Sequence, residues 1–268
     1  MNKTMIGGFV SVKSVLEAKS RDIFKIYIEK ERFEKIMRSE LRVPEQRQYN
    51  ALIESGVEIQ YVTPDEFSAI MPNPSAGGIA AEIGNRIFTP SEEIFSLKNG
   101  YIVILDGIED PFNFAYALRS LYASGVDAVI LPERNFFTAS DTVIRSSAGA
   151  SELIRACCVE DLTEACERLK SNGYQIVSTA KNNKSKDLYH AKLKKPLCLV
   201  FGGEKRGIKR EILDRSDVCL KIKYPRDCHY SLPACNAISI IAFECARKIS
   251  VPDRRNNDFG HRPNQKNF

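Results

Sequence analysis

Between residues 101 and 249, short apolar runs alternate with helical patterns, and this alternation restricts the fold more than any other feature of the chain. The first run, Tyr101-Ile102-Val103-Ile104-Leu105, has no strongly polar interruption and reads as a strand buried on both faces. A helical pattern over 113–124 follows and stops at Gly125. Ala128-Val129-Ile130-Leu131 is a second strand, ended by Pro132. Helices are predicted over 162–172, 209–216 and 232–249, and strands over 175–179, 196–201 and 218–222. Strands alternating with helices specify an α/β fold with a parallel sheet. Such sheets bind ligands beyond the carboxyl ends of their strands, which puts candidate sites after Leu105, Thr179, Phe201 and Ile222.

The first hundred residues carry weaker signals of the same two kinds. A helix is predicted over 11–19, with Val12, Val15 and Leu16 on one face, and a half-buried strand over 23–29. Residues 32–55 read as helical with a break at Pro44, and 57–62 as a strand. Met71-Pro72-Asn73-Pro74-Ser75-Ala76-Gly77-Gly78 is a loop, and 88–99 reads as a connector. The expected division is residues 1–97, residues 98–251, and a basic, Asn- and Pro-rich tail, 252–268, with no apolar period and no expected order. A chain of 268 residues has room for one large domain or two small ones.

Composition removes several function classes. No run approaches the ~18 apolar residues of a membrane span, and the opening residues lack the ~7–15-residue apolar core of a signal peptide. The expectation is a cytoplasmic protein with no membrane partner. Eight cysteines contain no C-x-x-C pair and there are only three histidines, so neither zinc nor a disulfide framework is expected, and no metal. A net charge of +5 permits a polyanionic partner without requiring one. The densest positive run holds Lys181, Lys184 and Lys186, then Lys192, Lys194 and Lys195. It suits contact with an RNA backbone and equally a solvated loop.

Three loops carry residues suited to chemistry. Asp110-Pro111-Phe112-Asn113 opens a helix that contains Arg119, an arginine in a mostly apolar pattern and therefore in need of a polar partner. Phe201-Gly202-Gly203-Glu204-Lys205-Arg206-Gly207 follows a strand, and its paired glycines would let a ligand approach the main chain. The stretch from Ile222 through Tyr224 to Ser231-Leu232-Pro233 leads into the long helix, with Ser231 as candidate cap and Pro233 in the first turn. No G-x-G-x-x-G follows the 101–105 strand, which disfavours a nicotinamide dehydrogenase.

In this order and spacing the loops resemble the SpoU (TrmH-like) branch of the SPOUT RNA methyltransferases. The family's D-P-x-N-x-(G/A)-x-x-x-R is matched by Asp110, Pro111, Asn113, Ala115 and Arg119, and its (F/M)-G-x-E-x-x-G by Phe201, Gly202, Glu204 and Gly207. Its I-P-M…S-L-N is matched in part by Ile222, Ser231 and Leu232; Pro233 stands in the Asn position, and Lys223-Tyr224 replace Pro-Met. Arg145-Ser146-Ser147-Ala148-Gly149-Ala150 is similar to the segment between motifs. The resemblance implies a SPOUT-type parallel sheet with a C-terminal trefoil knot, preceded by a small L30e-like RNA-binding domain, in a homodimer whose interface uses the long C-terminal helix. The apolar stripe Ile238, Ile241 and Cys245 is the expected contact face of that helix.

The implied activity is S-adenosyl-L-methionine-dependent 2′-O-ribose methylation of rRNA or tRNA. Arg119, Asn113 and Glu204 take the catalytic roles under this resemblance. The cofactor falls to Thr179, Phe201, Gly202, Gly203, Ile222, Tyr224, Ser231 and Leu232, and RNA contact to Arg145, Lys181, Lys184 and Lys186. The alternative is a SpoU-like RNA- and cofactor-binding module impaired by Pro233.

Overall fold

A computed structural model of the chain describes residues 3–108, 110–203, 206–227 and 229–249. The tail 252–268 and Glu204 lie outside the described residues. The amino-terminal part runs β1 (Thr4–Gly7), α1 (Phe9–Ala18), β2 (Ile23–Glu29), α2 (Lys30–Met37), α3 (Val43–Glu54), β3 (Ile59–Val62), α4 (Pro64–Ile70) and β4 (Ile79–Ile83). Its four strands form a mixed sheet in the order β1-β4-β2-β3. The two helices predicted as one with a break at Pro44 are separate, because the chain turns at residues 38–42 and Pro44 sits in the first turn of α3. The sheet packs on α1 and α3 through Ile6, Ile26, Ile28 and Ile83 against Val12, Val15, Tyr49 and Leu52.

The remainder runs α5 (Ser91–Phe95), β5 (Tyr101–Leu105), α6 (Pro111–Ala123), β6 (Ala128–Pro132), α7 (Ser140–Ser146), α8 (Ala150–Leu153), β7 (Arg155–Val159), α9 (Leu162–Ser171), β8 (Gln175–Thr179), β9 (Lys186–Asp187), β10 (Leu197–Phe201), α10 (Arg210–Arg215), β11 (Val218–Lys221) and α11 (Ala234–Ile249). The seven strands form one sheet ordered β7-β6-β5-β10-β8-β11-β9, and every recorded pairing in it is parallel. Alternation along β5 divides the core. Tyr101, Val103 and Leu105 face α6 and α11, whereas Ile102 and Ile104 face α5, α9 and α10. The Tyr101 hydroxyl, buried under α11, donates to the Ala242 carbonyl at 2.9 Å, and burial raises its pKa.

The two sheets are fastened by a buried ionic cluster. Glu152 in α8 accepts from Arg21 Nε at 3.0 Å and from Ser20 Oγ at 2.6 Å, and Arg86 stands 3.7 Å away. Arg21 spends its other N–H groups on Ser140 Oγ and the carbonyls of Gly84 and Phe137. Ile144 of α7 completes the apolar core under the first sheet, and Asp141 accepts from the Gly7 N–H at 3.0 Å.

Candidate functional site: a cleft at the carboxyl ends of the central strands

Asp110 starts the site by capping α6; its Oδ1 accepts from the Asn113 N–H at 2.8 Å. Asn113 is thereby held in the first turn, where its own Oδ1 accepts from Cys235 Sγ at 3.3 Å, joining the openings of α6 and α11 from 122 residues apart. Helix α11 begins at Ala234, later than predicted. The Pro233 carbonyl closes its first turn by accepting from the Asn236 and Ala237 N–H groups. Ser231 therefore does not cap the helix, and instead lines a cleft of about 550 Å³ with Asn113, Gly202, Leu232, Pro233 and Ala234. One residue from each of the first two motif loops and three from the third, Ser231, Leu232 and Pro233, thus meet in one cavity.

The glycine pair has a packing task that the sequence reading did not give it. A Cβ on Gly202 would collide with the Gly207 and Ile208 backbone, and one on Gly203 with the Gly107 carbonyl. The missing side chains let the loop after β10 fold on itself and close on the loop after β5, main chain to main chain. The Asp106 N–H donates to the Phe201 carbonyl at 2.8 Å in the same closure. Burial raises the Asp106 carboxyl above the usual carboxylate range, against the pull of Lys209.

A second cavity of about 580 Å³ is lined by Lys181, Lys221, Lys223, Tyr224 and Arg226, with Asp227 the acid of its wall. Tyr224 links the two cavities by accepting the Leu232 N–H on its hydroxyl at 3.1 Å, and Lys181 Nζ stands 5.8 Å from its ring centroid. Ile222 also lines this cavity, at the end of β11. Lys184 and Lys186 are exposed on the neighbouring turn, which Ser185 ties by donating to the Ala180 carbonyl. Thr179 donates its hydroxyl to the Val200 carbonyl at 3.2 Å, and Phe201 is buried in the core behind the cleft.

Two expected residues lie elsewhere. Arg145 pairs with Asp141 at 3.2 Å and lines a third cavity, between the amino-terminal elements and α7. Arg119 lies six residues along α6 from Asn113, which at 3.6 residues per turn turns it about 120° away and places it about 9 Å further along the axis. It is exposed and has no ion-pair partner among the described residues, so the polar partner its apolar surroundings called for is solvent. Phe112, Tyr116 and Arg119 share one exposed helix face at i, i+4 and i+7. The stripe expected to form an interface, Ile238, Ile241 and Cys245, packs into the chain's own core; the exposed apolar residues of α11 are Ile240 and Phe243. The Tyr224–Leu232 link and the third cavity were not predicted, since no local pattern signals contacts between distant loops.

The model of the SpoU rRNA Methylase family matches residues 100–243. A Staphylococcus aureus (strain COL) protein, named for the TrmH family of tRNA/rRNA methyltransferases, is 37% identical over 148 residues, 55% of this chain and 58% of that one. The chain thus spans less than two thirds of the length of such curated relatives. An rRNA methyltransferase from Sinorhizobium meliloti superposes with a TM-score of 0.72 at 18% identity, over 93% of this chain and 88% of that one. The SpoU methyltransferase AviRb from Streptomyces viridochromogenes, solved in complex with AdoMet, gives 0.73 at 17% identity, over 92% and 90%. These likenesses give the chain the SPOUT-type α/β fold. Because the family match runs through all three loops that meet at the cleft, the chain belongs to the SpoU rRNA Methylase family.

Proposed function

We propose that the protein is an S-adenosyl-L-methionine-dependent methyltransferase that modifies the ribose 2′-hydroxyl of an rRNA or tRNA. The observation that carries this reading is the meeting of Asn113, Gly202, Ser231 and Leu232 in one cleft. Space and lining suit the cofactor. The volume falls within the ~300–1,000 Å³ of small-molecule pockets, and none of the described residues lining it is charged, as an adenosine requires. The main chain at Gly202, Ile222 and Leu232 would hold it, with Thr179, Phe201, Gly203, Tyr224 and Ser231 shaping the walls. When bound, S-adenosylmethionine supplies an electrophilic methyl group.

The chain's own task is then to position a ribose and to manage the proton that its hydroxyl loses. Asn113, fixed by the Asp110 cap, would hydrogen-bond the sugar. Arg119 would act by gripping the substrate phosphate as a planar fork and steering the hydroxyl proton. Lys181, Lys184, Lys186 and the cation-lined second cavity supply attraction for the RNA backbone. The knot implied by the resemblance fits a path in which β10 enters between β5 and β8 and the chain returns from β11 to pack α11 on α6.

A homodimer belongs to this reading. Arg119 shares an exposed face of α6 with Phe112 and Tyr116, and α11, which packs on α6, exposes Ile240 and Phe243. Pairing of these faces would cover the apolar residues and bring Arg119 to the seam. The test compares wild type with Arg119→Ala in methyl transfer to RNA, with cofactor affinity read by calorimetry. Transfer should fall by about 10²–10⁴-fold with cofactor affinity unchanged, and light scattering should give twice the chain mass. Equal activity of the variant would remove Arg119 from the mechanism. A wild type that binds cofactor and transfers nothing would favour the impaired binding module.

A further inference from the structure

The cavity between the amino-terminal elements and α7, about 430 Å³, belongs to neither motif cleft. Its floor is the start of α1. That helix has no side-chain cap and no acid in its first turn. The N–H groups of Phe9, Val10 and Ser11 have no acceptor among the described residues. An uncapped helix start presents converging donors and the positive end of the helix dipole to an anion. Two guanidinium groups, of Arg32 from α2 and Arg145 from α7, line the same cavity, against one carboxylate, Glu45.

A second observation is independent of the helix. Tyr49 lines the cavity and is 2% exposed; its hydroxyl makes no hydrogen bond of good geometry among the described residues, and the Arg32 guanidinium is its neighbour. Buried hydroxyls are almost always satisfied, and an orphan marks a missing partner. Apolar surface completes the site: Phe9 is part-buried, and Val10 is 56% exposed although it opens a helix of the core. Donors for a phosphate, an unsatisfied hydroxyl and an apolar ledge are the elements of a nucleotide pocket.

We infer that this cavity binds one phosphorylated nucleotide unit, its phosphate on the opening of α1 and on Arg32 and Arg145, its base against Phe9 and Val10. The unit is either a free nucleotide or one residue of a single-stranded RNA; the second form rests on the RNA-methylation reading, and the first does not. The buried Arg21–Glu152–Arg86 cluster ties the amino-terminal part to α8, the helix that follows the α7 wall of the cavity.

The test titrates the full-length protein with each of the four nucleoside 5′-monophosphates, with inorganic phosphate and with a single-stranded RNA pentamer. Three variants are compared with wild type. Val10→Glu adds an acid where the helix dipole favours one, so folding is kept while an anion is repelled. Arg32→Gln removes a cation that has no ion pair among the described residues. Tyr49→Phe removes the orphan hydroxyl, which should leave the melting temperature equal or higher while weakening binding. At least one monophosphate should bind, about tenfold or more weaker in Val10→Glu and severalfold weaker in Arg32→Gln and Tyr49→Phe.

A pentamer that displaces the monophosphate assigns the pocket to the strand; one that does not assigns it to the free nucleotide. Failure of monophosphates and pentamer alike to bind wild type overturns the inference, as does affinity unchanged in both Val10→Glu and Arg32→Gln. Methyl transfer is read at the other cleft, so its absence from wild type would sink the proposed function and leave this titration standing.

Discussion

Glu152→Ala tests what joins the two sheets. The Glu152 side chain is 0% exposed, with the Arg21 and Arg86 side chains at 2% and 6%. Its oxygens accept from Ser20 at 2.6 Å, from Arg21 at 3.0 and 3.4 Å and from Ser151 at 3.3 Å. Removing the carboxylate strands two buried guanidinium groups beside each other without a counter-charge. Burial already lowers the Arg86 pKa, with Glu152 acting against it and Arg21 adding to it. Breaking one side of such a pair costs about 3–5 kcal/mol. At about 2–4 °C per kcal/mol for a chain somewhat under this size, a fall in Tm of about 6–20 °C follows.

Scanning calorimetry at pH 7 measures the change. The control is Glu92→Ala, which breaks an exposed ion pair with Arg168 and should leave Tm within about 2 °C. The double variant Glu152→Leu/Arg21→Met, which removes charge from both sides, should recover part of the loss. A Glu152→Ala protein melting within about 2 °C of wild type would refute the reasoning, because the cluster would then contribute no more than a surface pair.

Two further perturbations address the motif cleft. Gly203→Ala places a methyl group against the Gly107 carbonyl, so it should disrupt the closure of the loops and abolish S-adenosylmethionine binding by calorimetry; near-native affinity would show that the loops have room to part. Asp106 has a folded pKa raised by burial, so its contribution to stability is present below the unfolded value near 3.9 and is lost as pH rises through the folded value. Asp106→Asn should therefore gain Tm relative to wild type on going from pH 4 to pH 7, and a pH-independent difference would contradict the assignment.

The central strand was legible because burial on both faces requires an unbroken apolar run, and Tyr101–Leu105 is one. Strand β4, Ile-Ala-Ala-Glu-Ile, was not, because two alanines carry little strand preference and the glycines before it signal a loop. Strand β7, Arg-Ala-Cys-Cys-Val, lacks alternation for a similar reason. The motif loops could be placed because parallel strands end at the site. Their closure could not: Gly203 meets Gly107, and Tyr224 meets Leu232, only through tertiary packing. The α11 stripe misled because helical periodicity reports a buried face without saying whether the chain itself or a second copy buries it. The third cavity draws residues from β1, α1, α2, α3, β4 and α7, a combination that no local pattern announces.

The central claim is transfer of a methyl group to a ribose oxygen. Purified protein is incubated with S-adenosylmethionine carrying a tritiated methyl group and with total RNA from cells lacking the gene. The RNA is then digested with alkali, which needs a free 2′-hydroxyl to cleave the neighbouring phosphodiester. The account predicts label in alkali-resistant dinucleotides, reduced by about 10²–10⁴-fold with Arg119→Ala. Label recovered only in mononucleotides would place the methyl group on a base, and either that result or unlabelled RNA would contradict the account.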